Sequence, residues 1–254
     1  RKRTFDGLFP LRMAWYRTWF GTSYYKLLYG HRDQDDAHAW VRMILEKLKP
    51  GSVVDVLDMA CGRGRHARWF IEEGCNVTGI DISPESIADA RKAAPGGAFV
   101  VHDIREPFAS ERFDLVVCLF TSLGYFESPG DDQRALVAAA AALRPGGWFV
   151  LDFMNSNKVL RDLVGEECTE SGGVRFSISR SMERGRIVKR IVAEDRGEVH
   201  RFEERVTALM SAQLESLVAA AGLVIRDRTD GPVPLPFDAD RSKRLVIWAQ
   251  RPAA

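Results

Sequence analysis

Short apolar runs rich in β-branched residues alternate with segments of helical periodicity through most of the chain. Residues 53–59 are apolar except for Asp55 and Asp58 and too short for a typical helix, which predicts a buried parallel strand. A helix over 65–73 follows, then a strand over 76–80 that ends at Asp81. Ser83 and Pro84 read as a helix cap and a first-turn proline, and that helix runs to about residue 93. Strands at 98–102 and 113–119, a helix starting at Asp131 or Asp132, the turn Pro145-Gly146-Gly147 and a fifth strand at 148–153 continue the series. Repeated βα units of this length predict a doubly wound parallel sheet with ligands outside the strand C-termini.

Two regions break the pattern. Before the first strand, a helix over 36–48 carries an apolar stripe of Trp40, Val41, Ile44, Leu45 and Leu48. It is preceded by the aromatic leader Trp15-Tyr16-Arg17-Thr18-Trp19-Phe20 and Tyr24-Tyr25-Lys26-Leu27-Leu28-Tyr29, whose rings close a hydrophobic edge, cover a bound organic ligand, or do both. After the fifth strand, segments 174–179, 186–192 and 199–206 alternate apolar and polar residues between turns at Gly185 and Gly197, as a half-exposed antiparallel sheet does. A helix at 211–221 and strands at 223–228 and 244–249 then resume the main pattern. The chain thus divides into an aromatic helical cap (1–49), a core (50–156 and 207–254) and an inserted antiparallel sheet (157–206) that serves as a substrate lid or a dimer surface.

Composition narrows the function only a little. With 254 residues, 46% hydrophobic and 28% charged, the chain reads as one large folded α/β domain with embellishments. A formal charge of +1 gives no global attraction to a polyanion. The arginines and lysine of the insertion (Arg180, Arg184, Arg186, Lys189, Arg190) are offset by Glu183, Glu194, Asp195, Glu198, Glu203 and Glu204, which speaks against a nucleic-acid platform. No apolar segment approaches a membrane span and the first residues lack a signal-peptide pattern. Cys61, Cys75, Cys118 and Cys168 form no CxxC pair, and His38, His102 and His200 show no metal-ligand spacing, so free thiols, no metal and a cytoplasmic location are expected.

The chemistry concentrates at residues 56–67, VLDMACGRGRHA, an apolar strand with an acid running into a glycine turn and a helix. Glycines there admit a ligand close to the backbone, and helix amides face its polar groups. A dinucleotide fingerprint needs glycines at positions one, three and six, which here are Ala60, Gly62 and Arg65; this argues against a nicotinamide oxidoreductase. Asp81, 17 residues beyond Gly64, suits a ribose diol or a helix cap. Asp103 suits an exocyclic adenine amine or an Asx turn, and Asp58 organises the glycine turn or meets an ammonium group.

In this order the motifs resemble the class I S-adenosylmethionine-dependent methyltransferases. The acid and glycine turn is Asp58-Met59-Ala60-Cys61-Gly62-Arg63-Gly64, with Ala60 at the family's first glycine; the second motif is Val77-Thr78-Gly79-Ile80-Asp81-Ile82-Ser83. His102-Asp103-Ile104, Phe113-Asp114-Leu115-Val116-Val117 and Leu143-Arg144-Pro145-Gly146-Gly147 resemble the later segments. The resemblance implies a Rossmann-like, seven-stranded, mostly parallel sheet with an antiparallel insertion after strand five. It implies S-adenosylmethionine as cofactor and S-adenosylhomocysteine as product, with Gly62 and Gly64 at the amino-acid portion, Asp81 at the ribose, Ile82 beside adenine, and Asp103 and Ile104 at adenine.

The acceptor side is less defined. Phe120 packs on adenine or walls the pocket; Thr121 and Tyr125 position an acceptor or serve turn and core; Asp152 and Asn155 flank the fifth strand's end. His31 is a candidate base and Arg32 a partner for the cofactor carboxylate, unless the two form a surface cluster with Asp33. His66 reads as packing near the turn. An insertion after strand five is common among small-molecule members, so the expectation is methylation of oxygen or nitrogen on a small organic metabolite, with a homodimer open. An RNA methyltransferase, an oxidoreductase and a noncatalytic nucleotide-binding module are the alternatives.

Overall fold

The computed structural model describes residues 15–30, 34–49, 54–232 and 235–253. Helices α1 (Trp15–Trp19), α2 (Ser23–Tyr29) and α3 (Gln34–Leu48) precede a βα series. The series is β1 (Asp55–Met59), α4 (Arg65–Glu72), β2 (Asn76–Asp81), α5 (Pro84–Ala93), β3 (Ala98–Val101), β4 (Phe113–Cys118), α6 (Pro129–Ala142) and β5 (Leu143–Met154). After α7 (Ser156–Arg161) come β6 (Glu166–Ser171), β7 (Val174–Glu183), β8 (Arg186–Asp195) and β9 (Glu198–Thr207). Helix α8 (Ser211–Ala220), β10 (Val224–Asp230), β11 (Leu235–Pro236) and β12 (Arg244–Gln250) complete the chain.

The main sheet has the order β11-β10-β12-β5-β4-β1-β2-β3. Strands β1 to β5 are parallel, and β12 inserts antiparallel between β5 and β10. Seven strands match the expected sheet, and the two-residue β11 adds an eighth at the edge. The central strands are buried on both faces, which is why they read as continuous apolar runs. One face packs Phe113, Leu136, Phe149, Leu214 and Val218 under α6 and α8; the other packs Trp40, Ile44, Phe70, Ile87 and Trp248 under α3, α4 and α5. Strand order reverses between β1 and β4, so the crevice at their C-terminal ends is the topological switch point where such sheets bind ligands.

The second sheet has the order β6-β7-β8-β9 and is antiparallel throughout. Its β6 was not expected from the sequence: Glu166–Ser171 is a polar edge strand with no alternation to betray it. The described part of the expected 1–49 helical cap packs in two places. Helix α3 belongs to the main domain, whereas Trp19 and Leu28 of α1 and α2 pack with Val174, Phe176, Ile178 and Ile191 of the second sheet. The aromatic leader therefore joins the inserted sheet to the ligand end of the main one. The described cysteines are free thiols, and no described helix is long and apolar enough to cross a membrane.

Candidate active site

A cavity of about 690 Å³ opens at the C-terminal ends of β1, β2 and β4, in the range usual for small-molecule sites. Its floor is the glycine turn. Cys61 N donates to Ile80 O at 3.0 Å and Gly64 N to Cys61 O at 3.0 Å, closing the chain into a tight loop before α4. Gly64 caps α4 at φ 78°, where an added Cβ would lie 3.2 Å from the Ala90 Cβ, so only glycine fits without strain. Ala60 also adopts a left-handed φ, 55°. An alanine in that region costs about 1–2 kcal/mol, partly offset by its smaller unfolded-state entropy relative to glycine. Ala60→Gly is accordingly expected to raise stability by about 0.5–1 kcal/mol, read as a higher urea midpoint at constant slope; a lower midpoint would show that the Ala60 methyl packs better than its backbone is strained.

Asp81 leaves β2 facing this turn. Its Oδ2 accepts from Gly62 N at 3.0 Å and its Oδ1 from Ser83 N at 2.8 Å. Asp81 lines the cavity as an acceptor-only group, the character that a ribose diol requires. Burial pushes its pKa up, against the pull of the Ser83, Gly62 and Ile82 amides. Asp103 lines the same cavity farther along, beside Ile82 and Ile104. Burial raises its pKa, but hydrogen bonds and charge from Arg105, with help from Arg17, outweigh this and hold it below the usual carboxylate range. Its remaining acceptor capacity still faces the cavity as a carboxylate.

In the loop after β4, Thr121 takes the turn role, one of its two readings from the sequence. Phe120 and Thr121 both have left-handed φ, 61° and 62°. Asp152, fully buried on β5, holds them: Phe120 N donates to Asp152 Oδ2 at 2.9 Å and Thr121 N to Asp152 O at 3.1 Å. Arg244 donates to both Asp152 oxygens at 2.7 Å and to Thr121 Oγ1 at 3.0 Å. Thr121 Oγ1 also accepts from Met154 N, so this hydroxyl serves the loop's own architecture. The turn carries the Phe120 ring against Trp40 and His66 and between the guanidinium groups of Arg65 and Arg244, at 4.1 and 5.4 Å. Phe120 lines the cavity beside His66 and Arg65 of α4.

Other expected residues fall where their backbone sends them. Asp58 is buried beneath the glycine turn and does not line the cavity. Asn155 points away, its Nδ2 donating to Ala239 O and Ser242 O at 2.8 Å each. His66 is buried, and burial reinforced by Arg65 pushes its pKa down to about 3, so it stays neutral. Its Nε2 lies 3.4 Å from Arg65. His31 and Arg32 lie outside the described residues.

The roof comes from the leader. Trp15 and Phe20 contact Tyr125 at ring-centroid distances of 4.9 and 5.9 Å, and Tyr25 contacts Phe20 and Tyr29 at 5.0 and 4.9 Å. Arg17 lies 3.7 Å from Asp103, Arg63 donates to Phe20 O at 2.8 Å and Lys26 pairs with Asp89 at 2.8 Å, tying the roof to the floor. One side wall comes from β9, with Glu204 and Val206. The sequence reading missed Glu204 as a site residue, since it appeared as one of several charges offsetting a basic strand. Its neighbours at the site, Trp19 and Tyr29, are 185 and 175 residues away in the chain.

A glycine turn, a strand-end aspartate and a second acid, placed in this order around one crevice, agree with the sequence match. The family profile described as "Methyltransferase domain" covers residues 56–147, from β1 to the turn within β5. Residues 56–147 form a methyltransferase domain of the class I S-adenosylmethionine-dependent type. This methyltransferase is 29% identical over 210 residues to the dTDP-3-amino-3,6-dideoxy-alpha-D-glucopyranose N,N-dimethyltransferase of Streptomyces fradiae, covering 80% of each chain. In fold it is similar to an S-adenosylmethionine-dependent methyltransferase of Clostridium acetobutylicum, with TM-score 0.78, 21% identity and coverage of 90% of this chain and 96% of the other. It is likewise similar to the sugar N-methyltransferase KedS8 from Streptoalloteichus sp., with TM-score 0.71, 21% identity and 99% of each chain covered. As a methyltransferase of this class it is an enzyme and its cofactor is S-adenosylmethionine.

Proposed function

We propose that the methyltransferase transfers methyl groups to the amino nitrogen of a small polar acceptor of the amino-sugar type. The observation that carries this reading is the composition of the 690 Å³ cavity: a floor suited to adenosylmethionine and, opposite it, an aromatic roof interrupted by the Glu204 carboxylate. The cofactor would lie along the strand ends, its amino-acid portion at Ala60, Gly62 and Gly64, its ribose on Asp81, and its adenine between Ile82, Asp103 and Ile104. The relatives act in the same sense, for those from Streptomyces fradiae and Streptomyces venezuelae are both amino-sugar N,N-dimethyltransferases by name. Oxygen as the acceptor atom is the second reading, and no feature of the wall favours it.

Bound adenosylmethionine supplies an electrophilic methyl on a sulfonium. An acceptor nitrogen held neutral and in line would take that methyl and then release a proton to solvent. What the chain contributes is placement and dryness. The roof residues Trp15, Phe20 and Tyr125 exclude water, their π faces favour a cation, and neutral His66 adds no competing charge. Tyr125 would orient the acceptor from the loop after β4. Cavity cations are matched within the protein: Lys26 and Arg63 with Asp89, Arg68 with Glu72, and Arg244 with Asp152. This internal pairing suits a compact acceptor better than a phosphate backbone.

Titration with S-adenosylhomocysteine tests the placement. Asp81→Ala removes both ribose contacts to a charged acceptor and should weaken binding about a hundredfold or more, with the fold preserved by circular dichroism. Affinity within threefold of the wild type would refute the assignment of Asp81.

A further inference from the structure

The carboxylates that line the cavity differ in what already satisfies them. Asp89 is paired with Lys26 and Arg63, and Asp103 with Arg105 and Arg17. Asp81 is engaged by backbone amides at the floor. Glu204 alone of the four stands on the inserted sheet, among the rings of the roof. Its Oε1 accepts from Trp19 Nε1 at 2.6 Å and from Tyr29 OH at 2.7 Å. No hydrogen bond or ion pair among the described residues reaches its Oε2. Lys189, its cross-strand neighbour on β8, donates instead to the Tyr29 hydroxyl and lies 4.5 Å from that ring's centroid.

Trp19 is 2% exposed and stacks at 4.5 Å on Phe202, so the donor that orients Glu204 is itself immobilised. Tyr25 packs against both of the carboxylate's donors, Trp19 and Tyr29, and Phe20 against Tyr25; Phe20, Tyr25 and Tyr29 all line the cavity. A fixed carboxylate oxygen without a cationic partner, set among aromatic rings, is the environment that selects an alkylammonium ion by charge and by the ring quadrupole together.

We propose that Glu204 is the ammonium anchor of the acceptor subsite, a specificity-determining residue held in place by Trp19 and Tyr29. This rests on the reading of the acceptor as a small amine. Glu204 binds the amine in its protonated state through Oε2, with Phe20, Tyr25 and Tyr29 around the cation; that proton leaves to solvent before the neutral nitrogen takes the methyl. The inserted sheet therefore contributes directly to acceptor choice, through one residue of β9.

Choline and its neutral carbon isostere, in which a tert-butyl group replaces the trimethylammonium, separate charge recognition from simple burial. Each is titrated into the full chain saturated with S-adenosylhomocysteine, following tryptophan fluorescence or heat. Wild-type protein should bind choline at least tenfold tighter than the isostere. Glu204→Gln keeps an oxygen for Trp19 and Tyr29 but removes the charge, and should abolish the preference. Glu203→Gln, whose side chain pairs with Arg190 and Arg205, should retain it. Equal binding of the two probes to the wild type, or a preference that survives in Glu204→Gln, would overturn the proposal. S-adenosylhomocysteine binding is read in the same samples, so a failed cofactor reading and a failed anchor give different results.

Discussion

Asp152→Ala is expected to destabilise the protein by about 3 kcal/mol and to raise the KM for the acceptor. Asp152 is completely buried, and its removal leaves the Arg244 guanidinium without its paired carboxylate and the Phe120 amide without its acceptor. Breaking a buried pair by deleting one partner costs about 3–5 kcal/mol, and the quarter exposure of the Arg244 side chain, which lets water replace part of the lost contact, favours the lower end. The functional part follows from the backbone. Phe120 and Thr121 in the left-handed region hold about 1–3 kcal/mol of strain each, and such conformations persist only where surrounding contacts over-determine them. Without Asp152 the loop relaxes, and the Phe120 wall and Tyr125 lose their registration with the roof. Urea unfolding at neutral pH measures the first effect and steady-state kinetics the second. Asp152→Asn, which keeps an acceptor for the Phe120 amide, should recover part of both. A loss below 1 kcal/mol in the alanine variant would mean that Arg244 hydrates freely and the pair does not brace the loop.

This brace also marks the boundary of what the sequence makes legible. The parallel strands announce themselves because a strand buried on both faces must be apolar throughout, as Val56, Leu57, Val116 and Val117 are. The glycine turn and the acids at strand ends are legible for a related reason: their roles follow from local backbone geometry. Glu204 and the Asp152–Arg244 pair obey no local rule. Each depends on segments 92 to 185 residues apart meeting at one crevice, and a charge in a strand looks the same whether it faces solvent or a ligand. Thr121 and Asn155 show the converse. Both stand at the strand ends where pocket residues are expected, yet their side chains satisfy neighbouring backbone and guanidinium donors or carbonyl acceptors. The leader was ambiguous between edge closure and ligand cover because aromatic residues serve both: Trp19 of α1 packs on the second sheet, while Phe20, in the turn between α1 and α2, lines the cavity.

Stability should rise on replacing Asp58 by asparagine, and the gain should grow with pH. Asp58 is 2% exposed and its Oδ2 has no hydrogen-bond partner among the described residues. Burial, and then the charge of Asp81, push its pKa from 3.8 to about 7, against weaker pulls from Arg65 and the Ala67 amide. Between these values the unfolded chain ionises Asp58 while the native chain keeps it protonated. The native state then binds more protons than the unfolded state, so rising pH favours unfolding until the native carboxyl also ionises near pH 7. At about 1.4 kcal/mol per pH unit, the difference between Asp58→Asn and wild type should open by about 3 kcal/mol from pH 4.5 to pH 8. His66 acts in the opposite direction: kept neutral down to about pH 3, it withdraws stability as pH falls below 6.5, in both proteins alike. Subtracting the two unfolding curves at each pH isolates Asp58. Repeating the comparison in an Asp81→Ala background should shrink the difference, because the neighbouring charge that raises the Asp58 pKa is gone. A difference that stays flat across this range would show that Asp58 is ionised in the native protein, with a partner for its charge beneath the glycine turn.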